Sequence, residues 1–371
     1  MSWKILCGDR EFGADQVLDF RCKQTVDPLF GTLPTGEMTV DLYTEQPLEP
    51  QREEALVILW DDIRIATQHV RSCVRTGKNR YRLLAKPRTE FLQTRFIGNV
   101  YEDVTCQRIL EELFGDQAHR IDAELMIPME MRGYIDPGTR GQALEQLAFA
   151  GGAMITCGQG GDLAFRRPFT DAPVTLTEDQ ILMEQQVKWL PHYSRFELVA
   201  HDYYKSEHLE TIYHRLQLPS GVQTVYLDKP YWFIVAEADP FAEILEEGTN
   251  YAVVDQPGLV TLEGRPWLDN SSYHTLPGAE SEDPWFSHVL TVRDRTLVGS
   301  HNVEALLQQL KVIGSMRKQL KITCRADSLA GLRPGTLVYL PGHRGIVIAE
   351  TLTPTPTQLT ATVTLLCQET T

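Results

Sequence analysis

The amino-terminal quarter of the chain shows the two-residue periodicity of β-strands. Residues 37–42 alternate strictly between polar and apolar side chains, which predicts a strand with one buried face. Apolar runs on either side of Asp61-Asp62 predict a hairpin over residues 56–66, and a second hairpin follows over residues 70–85. About four to six strands in so short a segment predict a small barrel or sandwich.

The middle of the chain changes to helical periodicity. Five apolar side chains recur at helical spacing and predict a helix that stops at Gly115: Cys106, Ile109, Leu110, Leu113 and Phe114. A second helix is predicted after the Asp136-Pro137-Gly138 turn, with Thr139 and Gln142 spaced as a capping box. Its buried face is predicted to consist of Ala143, Leu144, Leu147 and Ala148. The helix is predicted to end at Gly151-Gly152. The segments 153–157 and 163–167 then predict a hairpin.

The carboxy-terminal half predicts strands around one further helix. Residues 303–313 have an amphipathic helical pattern, and Asn302 is a candidate N-cap. Alternation predicts strands over 320–324 and 359–365, and turns at 333–335 and 341–345 predict two further strands between them, over 336–340 and 346–350. The stretch from about 228 to 285 is rich in proline, glycine, acids and aromatics, and we interpret its bulky side chains as anchors for loops.

These patterns predict a mostly β, α+β fold with three domains. Residues 1–95 are predicted to form a first β-barrel domain, and residues 96–170 an α+β middle domain. Residues 171–371 are predicted to form a second β-barrel domain, with a long aromatic-rich insertion at about 228–285. No sequence identity links the two barrel segments, so their likeness is architectural.

Composition argues against two classes of protein, those that bind nucleic acid tightly and those that span a membrane. The 371 residues are 42% hydrophobic and 23% charged, as in an ordinary folded protein, and the formal net charge of −15 argues against tight nucleic-acid binding. No run approaches the roughly 18 apolar residues of a membrane span. Neither a membrane anchor nor a signal peptide is expected, so we expect assembly in the cytoplasm. Seven scattered cysteines without a CxxC pair are expected to be reduced thiols.

The sequence carries no catalytic fingerprint. It lacks the GxSxG, HExxH, Walker and GxGxxG motifs, and His208 and His214 are six residues apart, which is not the spacing of a helical zinc pair. Adjacent acids such as Asp61/Asp62, Glu111/Glu112, Glu246/Glu247 and Glu282/Asp283 do not supply the separated carboxylates of a glycosidase. We therefore assign no catalytic, cofactor-binding or metal residue, and expect no enzyme.

The sequence of the helix and hairpin in the middle domain also resembles that of a known protein family. The pattern R-x-A-L-x-x-x-A-F-A-x-G-A resembles the middle domain of baseplate hub proteins from contractile-tailed phages and related injection machines. The matching residues are Arg140, Ala143 (one place later than usual), Leu144, Ala148, Phe149, Ala150, Gly152 and Ala153. Three further stretches are similar in the same order, VDPLFGTLPTGEMTVDLY, FIGNVYEDVT and PGTLV followed by GIVI. Together these matches span most of the chain.

The resemblance implies a structural hub at the end of a tail or injection tube. It implies a homotrimer in which two barrels from each of three copies imitate six subunits, joining the hexameric tube above to a trimeric spike or its adaptor below. The tape measure protein and neighbouring baseplate proteins are further implied partners, and the implied location is the virion tail. Such a ring needs strands that pair between subunits, for which residues 56–66 and 336–350 are candidates.

Two alternatives remain open from the sequence. The first is a tail-associated peptidoglycan hydrolase, because tail proteins often carry such enzymes. The second is a carbohydrate- or receptor-binding tail protein in which Trp232, Trp267 and Trp285 form a sugar platform. Loss of cell-wall clearing on one acid-to-amide change would favour the first, and loss of glycan binding on changing the tryptophans the second.

Overall fold

The structure is a computed structural model of the 371-residue chain. It describes residues 3–158, 160–170, 172–182, 186–238, 242–256, 258–278, 287–325, 332–354 and 358–369. None of the helices within these ranges is long and apolar enough to cross a membrane.

The amino-terminal segment folds into seven antiparallel strands. They are β1 (Trp3–Cys7), β2 (Arg10–Gly13), β3 (Val17–Thr25), β4 (Thr35–Tyr43), β5 (Ala55–Trp60), β6 (Ile63–Gly77) and β7 (Arg80–Lys86). Both predicted hairpins are present, but β6 is one strand of 15 residues that serves both. It bends through irregularities in its register with β5 and β7, so β5 pairs with its first half and β7 with its second half.

The middle segment combines short strands with two helices. Its strands are β8 (Arg95–Phe96), β9 (Asn99–Thr105), β10 (Ile121–Asp122), β11 (Glu130–Ile135), β12 (Gly138–Thr139), β13 (Met154–Cys157) and β14 (Leu163–Arg166). Its helices are α1 (Cys106–Phe114) and α2 (Arg140–Ala150). Both buried faces match the prediction, and the capping box is confirmed because Thr139 and Gln142 bond reciprocally. Gly152 follows α2 with a positive φ of 63°, a conformation that glycine adopts without strain.

The next segment forms long strands and the third helix. The strands are β15 (Val174–Thr175), β16 (Gln186–Trp189), β17 (His192–Lys205), β18 (Glu210–Gln217), β19 (Gly221–Tyr226), β20 (Tyr231–Ala238), β21 (Glu243–Gly248), β22 (Tyr251–Gln256), β23 (Leu259–Pro277) and β24 (Ser287–Val292). Helix α3 (Val303–Gly314) buries the predicted face. Asn302 does not cap it through its side chain, because the Asn302 amide instead donates to the Ala150 carbonyl at the end of α2.

The aromatic-rich segment is mostly strand rather than loop. Strands β20, β21, β22 and β23 lie within residues 228–285, and β23 alone runs for 19 residues along β17, β18 and β20. Tyr231 and Trp267 are buried there, as expected of anchors, but they sit on strands. The Trp285-Phe286 pair lies outside the described residues.

The last four strands of the chain join the sheet that the first segment forms. They are β25 (Lys318–Arg325), β26 (Leu337–Leu340), β27 (His343–Pro354) and β28 (Leu359–Glu369). One sheet runs through both ends of the chain in the order β16-β25-β28-β27-β3-β4-β7-β6-β5-β1-β2, with β26 on β27 and β15 on β26. Its strands share a single hydrophobic core. The fold is therefore α+β and mostly β, built from curled sheets, while the three-domain division at residues 95 and 170 stays a prediction.

Candidate assembly interface

The described paired acids of the sequence lie in a turn (Asp61/Asp62), on helix α1 (Glu111/Glu112) and on strand β21 (Glu246/Glu247). Asp62 is 2.8 Å from the Lys4 ammonium, and Glu112 accepts from the Asn99 amide at 3.0 Å. Glu247 accepts a hydrogen bond from the backbone of β20, whereas Glu282/Asp283 lies outside the described residues. Among the described residues no group of three or more histidine, cysteine, aspartate or glutamate side chains is arranged to hold a metal ion.

The two described tryptophans of the sugar-platform alternative line one shallow groove. Trp267 is only 8% exposed, and the Lys205 ammonium lies 4.8 Å from its ring centroid. The Trp232 indole donates to the Ser206 carbonyl at 2.9 Å, and the Arg265 guanidinium lies 5.4 Å from its ring centroid. These rings are packed against the chain's own cations, which leaves less free face for stacking on a sugar.

The two ends of the chain meet edge to edge where β27 pairs with β3. Leu352 lies opposite Cys22 and Glu350 opposite Gln24 in an antiparallel register. Leu352 and Cys22 are 1% and 2% exposed, and both belong to the core shared by the two ends. We call this contact the internal joint. It fuses the amino-terminal and carboxy-terminal strands into one continuous sheet.

A buried carboxyl lies at the internal joint. Burial raises the pKa of Glu350 to about 8, and the nearby Arg333 guanidinium only partly offsets this. Burial also lowers the pKa of Arg333, whose guanidinium donates to the Arg64 carbonyl at 3.4 Å. At neutral pH the Glu350 carboxyl is therefore largely protonated, and the joint buries a neutral group instead of a charge.

The same strand order occurs twice in the large sheet. The amino-terminal path is β3-β4-β7-β6-β5, and the carboxy-terminal path is β16-β25-β28-β27-β26. Every neighbouring pair in both paths is antiparallel. The paths differ at the next strand, since β1 is antiparallel to β5 whereas β15 is parallel to β26. We call the two paths module 1 and module 2.

The strands proposed from the sequence for subunit contacts are not the free edges. Strand β5 lies between β1 and β6, and β26 lies between β15 and β27. Both already have neighbours on both sides, so the prediction at 56–66 and 336–350 is wrong for these two strands. Residues 349 and 350 do reach a contact between modules, but within one chain.

One free edge is β16. Within the described ranges it pairs with β25 alone, and all four of its side chains are exposed. Val187 lies opposite the fully buried Leu320, so its side chain points to the core face of the sheet while remaining 47% exposed. Trp189 lies on the same face with the Lys318 ammonium 5.4 Å from its ring centroid, yet it remains 65% exposed. An apolar row thus extends past the end of the core.

The other free edge is the second half of β6. Strand β5 ends opposite His69, and in the described part of the chain no strand pairs with the side of Ser72–Thr76 that faces away from β7. A groove of about 680 Å³ lies beside this edge, walled by the loop before β5. Its lining mixes apolar side chains such as Leu48, Cys73 and Tyr81 with the basic Arg52, Arg71 and Arg75 and the acidic Glu45 and Glu49.

Comparisons with known proteins agree on the fold alone. No protein-family model matches the sequence, and no curated protein matches it. The 43 kDa tail protein of prophage MuSo2 from Shewanella oneidensis is similar over 98% of both chains, with a TM-score of 0.55 at 11% identity. A tail protein from Neisseria meningitidis is similar over 98% of this chain and 95% of that one, with a TM-score of 0.57 at 12% identity. Prophage tail protein gp18 from Listeria monocytogenes is similar over 98% and 94%, with a TM-score of 0.51 at 9% identity. The chain therefore has the fold of these tail proteins.

Proposed function

We propose that the chain is a structural hub at the end of a phage-type tail or related injection tube. Three tail proteins, two of them from prophages, share its fold over nearly their whole lengths, which supports a role in such a particle. No constellation of reactive side chains among the described residues favours an enzyme, since the candidate acids bond to neighbouring strands and side chains.

The observation that carries the proposal is the repeated strand path. A ring of three chains presents three-fold symmetry, whereas a hexameric tube presents six equivalent positions. A chain that contains modules 1 and 2, already joined edge to edge, supplies two positions for each copy. Three copies then supply six modules around one axis. The internal joint would be one type of contact in this ring, and the contact between copies the other.

The ring would join the tube above to a spike or spike adaptor below. Module 1 and module 2 would form the annulus that meets the tube, and the segment with α1 and α2 would widen the opposite end. The tape measure protein and neighbouring baseplate proteins are further proposed partners, and the proposed location is the tail of the particle. Strands β18–β22, which have a hydrophobic core of their own, would lie outside the annulus.

The oligomeric mass of the purified chain tests this proposal. We expect sedimentation equilibrium and native mass spectrometry to give three times the mass of one chain. A dimer or a tetramer would contradict the proposal, as would a chain that stays monomeric at the highest concentration reached.

A further inference from the structure

We infer that β16 of one copy adds to the free edge of β6 in the next copy and inserts Trp189 into the groove beside that edge. The inference rests on the proposed ring, because it specifies the contact between two of its copies. It follows from the two modules alone: each free edge in one module corresponds to an edge that is already paired in the other.

The correspondence of the modules identifies the partners. At the internal joint, the first strand of module 1, β3, pairs with the fourth strand of module 2, β27. The equivalent contact between copies joins the first strand of module 2 to the fourth strand of module 1. Those strands are β16 and β6, and each has the required side free within the described ranges. The contact is head-to-tail, as a cyclic ring requires.

The paired residues align the modules in detail. The ladders β4·β7 and β25·β28 end at the pairs Tyr43–Arg80 and Arg325–Thr360, which we take as equivalent. The fully buried pairs then coincide, since Met38–Ala85 falls on Leu320–Leu365. The match of buried positions in both ladders supports this alignment over a shift by one residue, which would exchange the two faces.

The alignment predicts the register between copies. Cys73 is equivalent to Glu350, since Cys73 lies opposite Leu83 and Glu350 opposite Val363. Val187 is equivalent to Cys22, and Trp189 therefore to Gln24.

At the internal joint Glu350 lies opposite Gln24, and Leu352 lies opposite Cys22. The contact between copies should therefore oppose Cys73 to Trp189, Val74 to Lys188 and Arg75 to Val187, again antiparallel.

The side chains fit this register. Cys73 and Tyr81 line the groove, and Cys73 packs against the core from a half-buried position. Trp189 opposite Cys73 would enter the groove beside Arg75, whose exposed guanidinium can stack on an indole face, whereas Arg71 is already paired with Glu53 and Glu90. The groove, at about 680 Å³, is large enough for one indole. The contact would cover the apolar row on β16 and provide partners for both unpaired strand edges.

Cysteine pairs test the register directly. Opposed residues in an antiparallel pair have Cα atoms about 4.5–5.5 Å apart, within the range of a disulfide, whereas diagonal neighbours are about 7–8 Å apart. Val74 and Lys188 are both exposed in one chain, so changing them leaves the core intact. We expect the Val74→Cys/Lys188→Cys double variant to oxidise to a covalent ladder that ends at the trimer. The matched control, Val74→Cys/Gln186→Cys, moves one thiol by two residues and should cross-link at least tenfold more slowly.

The single variants Val74→Cys and Lys188→Cys show whether a native cysteine takes part. A trimer by mass without the Val74–Lys188 cross-link would overturn the strand contact and leave the proposed hub in place. A monomer by mass would overturn both. A ladder that continues beyond three copies would retain the strand contact and contradict the closed ring.

The tryptophan supplies an independent measurement. Trp189→Ala should raise the concentration for half-assembly by roughly 30-fold, the loss typical of a buried aromatic anchor. Tyr273→Ala removes an aromatic side chain of similar exposure on β23 and should leave that concentration unchanged. Equal effects of the two variants would overturn the placement of Trp189.

Discussion

Strands β3 and β16 occupy the same position in two copies of one strand path, yet their surroundings differ. Strand β3 pairs on both sides, with β4 and β27, and buries Phe20 and Cys22. Strand β16 is short, pairs with β25 alone in the described part of the chain, and exposes every side chain. The chain therefore completes this contact once by itself and leaves its counterpart open. A free edge with an apolar row is a liability in a monomer, and in an assembly it is where the next copy binds.

The largest expected difference in the free energy of unfolding is between a buried tryptophan, Trp267, and an exposed one, Trp189. Trp267→Ala should lower the free energy of unfolding by about 3–5 kcal/mol, because it empties a buried site below Lys205. Trp189→Ala is the matched control and should cost less than about 1 kcal/mol in the monomer. Urea unfolding at a concentration that keeps the chain monomeric measures both. Similar losses would mean that Trp189 is part of the monomer's own core.

A second comparison concerns two equivalent residues, Leu352 on β27 at the internal joint and Arg75 on β6 at the free edge. Leu352→Ala should lower the free energy of unfolding by about 2–4 kcal/mol, since Leu352 is buried between the two modules. Arg75 is its counterpart on β6 and is exposed, so Arg75→Ala should change that free energy by about 0.5 kcal/mol or less. The same unfolding curves decide. A small effect of Leu352→Ala would show that the joint contributes little to the monomer.

A third comparison uses the pH dependence of stability at the internal joint. The pKa of Glu350 is about 8 in the folded chain and near 4.5 in the unfolded chain, so the folded state binds more protons between these values. Stability should therefore fall by about 1.4 kcal/mol per pH unit as pH rises from about 5 to 8. Glu350→Gln should remove this fall, and Glu37→Gln, on an exposed position of β4, is the control. Unfolding at several pH values checks it, and an unchanged slope in Glu350→Gln contradicts a neutral buried carboxyl.

Local patterns predicted the local elements. Helices α1, α2 and α3 have the predicted buried faces, because apolar residues three and four apart define one side of a helix wherever it packs. The capping box at Thr139 was predicted because both partners lie within four residues. Asn302 shows the limit of such signals, since its side chain bonds to Ala150, which no local rule indicates.

Contacts distant in sequence could not be predicted in the same way. Leu352 and Cys22 are paired although more than three hundred residues separate them, and no local sequence pattern around either residue identifies the other. The long strand β23 was missed because its glycine, proline and acidic residues weaken the alternation, while its partners β17, β18 and β20 stabilise it. The free edge at β16 was missed for a related reason: only the complete strand order shows which strands lack a neighbour.

The central claim is that three copies of a two-module chain imitate six subunits. An averaged electron-microscopy projection of the purified oligomer, viewed down its symmetry axis, tests it most directly. We predict a ring of six similar densities that obeys only three-fold symmetry, with modules 1 and 2 alternating. A ring of three densities, or an oligomer in which the modules do not lie around a common axis, would contradict it.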